Sequence, residues 1–125
     1  MRSLNRGLFI ALLLILSPAN AMSAQKADAV LVIKSESRLY LMKNEKSFAS
    51  FRVTFGADPT GHKQVRGAQR TPEGHYLLDY KNPNSKFYKS IHISYPNEQD
   101  KAKARELGGD PGSDIMIHAQ ANGCG

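Results

Sequence analysis

Two side chains near the end of the sequence have types and spacing that could do chemistry. His118 closes the apolar run Ile115, Met116 and Ile117, and the single cysteine, Cys124, follows six residues later. A thiol becomes a strong nucleophile when an imidazole takes its proton, which requires the two groups within hydrogen-bond reach. In a tight hairpin centred on Ala121, the two residues would lie opposite each other with Cβ atoms about 5 Å apart. Only Gly125 follows Cys124, and ordering each residue of such a turn costs on the order of 1–2 kcal/mol. Backbone amides following the nucleophile would also be missing from an oxyanion hole. Taken alone, the pair is better read as a packed histidine and an incidental cysteine.

The other candidates are weaker. GADPTGHKQ, Gly56 to Gln64, has the two glycines of a phosphate-binding loop. His62 occupies the lysine's place, however, Lys63 comes one residue late and Gln64 lacks the metal-binding hydroxyl. Gly67 and Pro72 oppose the helix that such a loop must open. His62, His75, His92 and His118 show no paired-ligand spacing, so no metal is expected. No cofactor is expected either. In RTPEGHY, Arg70 to Tyr76, Thr71-Pro72 favours an extended approach and Gly74 permits positive φ, which makes a turn.

The elements that must position these groups are short and rich in β-formers. Val30–Lys34 and Arg38–Met42 have hairpin spacing, and Lys43–Lys46 is a polar turn. Phe48–Phe55 alternates, with Phe51, Val53 and Phe55 on one face. After a loop punctuated by Gly and Pro come Tyr76–Tyr80, a turn at Asn82–Ser85, and an alternating strand from Phe87 to Tyr95. Glu98–Leu107 consists of helix formers, with Asn97 as N-cap and Gly108-Gly109 closing it. Its apolar contacts are expected at Ala102, Ala104 and Leu107. A last strand, Ile115–Ala119, carries His118. The fold class is mainly β with one short surface helix.

Residues 1–24 read as a signal peptide. Arg2 and Arg6 precede the apolar stretch Leu8–Leu16, Ser17-Pro18 breaks it, and cleavage is expected after Ala21 or Ala24. That stretch is far shorter than the roughly 20 residues needed to span a bilayer. No stable membrane span is therefore expected after cleavage. Removing the leader lowers the net charge of +6 by two, and the remaining excess favours weak attraction to polyanions. Export and the lack of an Arg-rich, aromatic-interleaved stretch exclude nucleic acid as a partner. One cysteine cannot form an internal disulfide.

From Lys34 to His118 the chain resembles the L,D-transpeptidase catalytic domain, the YkuD-like family, in its Gram-negative periplasmic branch. The segments that carry the resemblance are KSESRLYL, FRVTFGADPTGHK, RTPEGHYLLDYKNPNSKFYKSIHISYPNEQDKAKARELG and GGDPGSDIMIH. The resemblance implies a β-sandwich at residues 25–125, peptidoglycan stem peptides as substrate, and a location in the periplasm. It implies a cysteine thiolate that attacks the peptide carbonyl beside a D-alanine, followed by an amine that resolves the acyl-enzyme. Cross-linking, protein anchoring and hydrolytic detachment all use this route. His118 matches the family's general base. Cys124 is the candidate nucleophile, but Ala121 stands where a Ser or Thr is usual and the preceding loop is short. Ala119 replaces a usual Gly and Ala68 a usual Asp. These departures lead to the expectation of a domain whose C-terminal part is missing. The alternative function is an inactive fragment with weak cell-wall binding.

Overall fold

The computed structural model describes residues 24–120, so Cys124 and the leader segment through Ser23 lie outside the described residues. Among the described residues there are two three-stranded antiparallel sheets and one α-helix. The first sheet has the order β1 (Ala29–Ile33), β2 (Arg38–Lys43), β3 (Lys46–Arg52). The second has the order β4 (Leu78–Ser85), β5 (Tyr88–Ile93), β6 (Met116–His118). This is the mainly β architecture expected from the alternating segments.

The first sheet is a meander set by two short connections. A single 3-10 turn, Lys34–Glu36, joins β1 to β2 and ends at Ser37 in the left-handed region, φ 50°. Asn44 and Glu45, with φ of 48° and 65°, form the tight turn between β2 and β3. Two consecutive positive φ values give the backbone twist that matches a right-twisted hairpin. Leu39, on the central strand and 7% exposed, is the buried anchor of this sheet. Phe51, expected on one face with Val53 and Phe55, is exposed. It lies on an edge strand that ends at Arg52.

In the second sheet the expected turn at Asn82–Ser85 is strand instead, and the reversal falls at Lys86 and Phe87. The pairing slips between Asn82↔Ser90 and Ser85↔Tyr88. That irregularity accommodates Pro83, which has no N–H to give a ladder. Strand β4 also begins two residues later than expected, at Leu78. Leu77 still pairs with Ser94, donating to its Oγ at 2.8 Å and accepting from its N–H at 2.9 Å.

The helix α1 (Glu98–Glu106) is capped by Asn97 in a reciprocal box. Asn97 Oδ1 accepts from the Asp100 N–H at 2.9 Å, and Asp100 Oδ2 accepts from the Asn97 N–H at 3.0 Å. Two otherwise orphaned amides of the first turn are satisfied this way. Ala104 is fully buried, as the sequence suggests, whereas Leu107 is 52% exposed. Leu107 is the C-cap, already past the helix, and its side chain leaves the packed face.

Between the sheets runs a long segment, residues 53–77, without helix or strand. It is held by side chains rather than by a ladder. Lys34 Nζ donates to the carbonyls of Gly61 at 2.8 Å and Thr71 at 2.6 Å, and meets Glu73 Oε1 at 3.1 Å. Arg70 Nε binds Asp58 Oδ2 at 2.9 Å. Gly56 packs so closely on this loop that a Cβ there would stand 2.3 Å from the Gln69 carbonyl oxygen. Gly74 has φ 129°, the conformation its turn reading requires. No helix follows Gly61, so the phosphate-loop context is absent.

Candidate active site

His118 ends β6, the edge strand of the second sheet among the described residues, and pairs with Ser90 on β5. Ser90 is 4% exposed and is flanked on its other side by Asn82 of β4. The imidazole is exposed and rests on the Phe87 ring, with centroids 4.3 Å apart. Its Nδ1 lies 2.7 Å from the Ala119 carbonyl oxygen. A carbonyl can only accept, so Nδ1 carries the proton and donates it. Nε2, without a hydrogen-bond partner among the described residues, then holds a free lone pair. That is the tautomer a general base needs.

His118 lines an open cleft of about 1040 Å³ between the 54–71 segment and the second sheet. Its lining includes Tyr80, Asn82 and Met116 from the sheet, Phe87 from the turn between β4 and β5, and Lys63, Arg70 and Thr71 from the loop. Amide and hydroxyl groups beside aromatic surface suit a peptide, which offers both backbone polar groups and apolar side chains. Cys124, the other half of the sequence-derived pair, is outside the described residues.

A second polar cluster lies on the other side of the loop, and its centre, Asp100, was not singled out from sequence. Asp100 is 7% exposed. Its Oδ1 meets His62 Nε2 at 2.9 Å, and its Oδ2 accepts from the Tyr76 hydroxyl at 2.9 Å as well as from the Asn97 amide. The Glu73 N–H points at His62 Nδ1 at 2.7 Å, which makes Nδ1 an acceptor and places the ring proton on Nε2. The contact to Asp100 is therefore a hydrogen bond from a neutral imidazole to a carboxylate. Tyr95, 2% exposed, packs edge-on against His62 and Tyr76 at 6.4 and 6.0 Å. Burial, followed by the bond to Asp100, pushes the Tyr76 hydroxyl well above the ordinary tyrosine range. Burial first, then the charges of Asp100 and Asp110, raises Tyr95 as well.

His62 and Lys63 are neighbours that face different spaces. His62 lines a smaller cleft of about 530 Å³ with Glu73, His75, Tyr76 and Asp100, while Lys63 lines the His118 cleft. His92 is in neither. It stacks on Tyr80 at 4.5 Å and binds Asp79 at 2.5 Å, the hydrogen-bonded strand histidine that its position suggests. His75 is exposed. Among the described residues, no group of three or more His, Cys, Asp and Glu is disposed to hold a metal ion.

Comparison with known proteins identifies the family. Residues 27–124 match the family model of the YkuD L,D-transpeptidase catalytic domain. The chain belongs to that family. It is also similar to two proteins of Escherichia coli, from strains K12 and O157:H7, each described as "Putative L,D-transpeptidase YafK". Both are 34% identical over 71 residues, which cover 55% of this chain and 27% of each relative. The chain thus spans about a quarter of the length of the curated relatives it matches. No solved structure matches.

Proposed function

We propose that this chain is a cysteine-dependent L,D-transpeptidase acting on peptidoglycan stem peptides, with His118 as general base and Cys124 as nucleophile. The observation that carries the reading is the His118 imidazole. It lies in a family-matched segment, it lines a peptide-sized cleft, and its Nδ1 is engaged by the Ala119 carbonyl.

In the proposed reaction His118 Nε2 takes the proton from Cys124 Sγ, and the thiolate adds to the carbonyl carbon beside a D-alanine. The C–N bond breaks, the imidazolium returns its proton to the departing amine, and a thioester remains. An amine of a second stem peptide attacks that thioester, forms the new amide and releases the thiol; water in its place gives hydrolysis. Phe87 and the Ala119 carbonyl hold the base while protons move, which limits reorganisation in the step.

Residues 1–24 are proposed as an export signal cut after Ala21 or Ala24, and residues 25–125 as the catalytic domain, working in the periplasm of a Gram-negative bacterium. The charged start, short apolar stretch and small residues of the leader support export. Among the described residues no helix is long and apolar enough to cross a membrane.

Whole-protein mass spectrometry after incubation with a carbapenem tests the catalytic reading. A covalent adduct mapped to Cys124, and lost in His118→Ala, is expected. Absence of the adduct under conditions that acylate an E. coli relative would overturn it.

A further inference from the structure

The wall of the His118 cleft carries a buried positive charge that the acyl-transfer steps leave unused. Lys63 is only 7% exposed and lines the cleft. Its Nζ donates to the Val65 carbonyl at 3.0 Å, and among the described residues that is its only hydrogen-bond partner; no carboxylate pairs with it. An ammonium has three donors, and a buried charge lacking a counter-ion is costly. A bound anion would supply what the site lacks.

Neighbouring groups point the same way. Arg70 lines the same cleft, and Asp58 occupies only its Nε, leaving both terminal nitrogens without a partner among the described residues. Lys86 also contributes to the lining, with its ammonium 5.3 Å from the Phe87 ring centre. Asp114 is the single carboxylate of the lining, and the Ser113 hydroxyl engages it at 3.2 Å. The field inside the cleft therefore favours an anion. A guanidinium and an ammonium that line one cleft suit a planar carboxylate.

We propose that Lys63, assisted by Arg70, forms a carboxylate-binding subsite in the His118 cleft that takes a free carboxylate of the peptide substrate. The inference rests on the peptide-processing reading above and adds a specificity determinant to it. Held by its carboxylate, a peptide is fixed in direction and register along the cleft, so that one carbonyl is presented to the base.

Calorimetric titration of the full chain with acetyl-L-lysyl-D-alanine and with its C-terminal amide tests this. The acid should bind at least about tenfold tighter than the amide, and Lys63→Gln should reduce that ratio to within about twofold while leaving the amide's affinity unchanged. Equal affinities in the unsubstituted chain, no binding of either peptide, or a ratio that survives Lys63→Gln would each overturn the subsite. Should Lys63→Gln not fold, Arg70→Gln replaces it, expected to lower the acid's affinity and not the amide's; an unchanged acid affinity sinks the proposal. Acid preference without a carbapenem adduct on Cys124 leaves the subsite standing and removes the catalytic reading; an adduct without acid preference does the reverse.

Discussion

His62 and Asp100 are 38 residues apart in sequence, yet His62 Nε2 lies 2.9 Å from Asp100 Oδ1. This bond ties the loop that walls both clefts to the first turn of α1. The same carboxylate caps the helix and receives the Tyr76 hydroxyl. Loop, helix and the start of the second sheet therefore converge on one buried side chain.

Asp100→Ala should be among the most damaging single changes outside the cleft. It removes the acceptor for His62, Tyr76 and the Asn97 amide together, leaving part-buried donors unpaired. A loss of about 2–4 kcal/mol is expected from urea unfolding. Tyr76→Phe, which removes one of those bonds, should cost about 1 kcal/mol.

Stability should fall at high pH. Tyr76 and Tyr95 have folded pKa values raised above the ordinary tyrosine value near 10. The unfolded chain then releases these protons first, so the folded state binds more protons in this range. Their contribution is complete below about pH 10 and is lost as pH rises beyond it. Thermal melting across pH 8–11 should show the decline, and Tyr76→Phe should flatten it. A slope unaffected by that substitution would contradict the assignment.

Gly56→Ala should distort the loop. The added methyl would meet the Gln69 carbonyl oxygen at 2.3 Å, and backbone cannot swing aside as a flexible side chain can. A cost of about 1–3 kcal/mol is expected. Gly67 is the control. A Cβ there meets nothing within 4 Å, and its φ of 77° is one that Asn tolerates. Gly67→Asn should unfold at nearly the same urea concentration as the unsubstituted chain.

Phe87→Ala should slow Cys124 acylation by roughly tenfold without shifting the melting temperature appreciably. The half-buried ring supports the His118 imidazole at 4.3 Å, and a base free to swing loses alignment in the transition state. Equal rates in the two proteins would show that the stacking has no role in positioning the base.

Local rules in the sequence located much of the fold. The two hairpins of the first sheet, the Asn97 cap and the strand bearing His118 all follow from alternation and turn chemistry. The extension of β4 through Pro83 was hidden because Asn82–Ser85 has a turn composition, and only pairing with β5 shows that the chain stays extended there. Phe51 and Leu107 illustrate a related limit. Periodicity identifies a possible inward face but not whether anything lies opposite it. The candidate site was half legible. His118 stands out by its place after an apolar run, whereas Asp100 resembles any acidic residue in a helix's first turn. Its partners, His62 and Tyr76, are distant in sequence, so their convergence belongs to the tertiary structure. Lys63 reads as a solvated loop cation, and its burial depends on the wall that Gly112 and Val65 complete around it.

Because His62 and Lys63 are consecutive, the two chambers share a partition one peptide thick. The Lys34 ammonium ties that partition to the first sheet through the Gly61 carbonyl. Crowding one chamber with a bulky adduct therefore displaces a group belonging to the other, so substitutions on opposite sides of this septum should give non-additive effects.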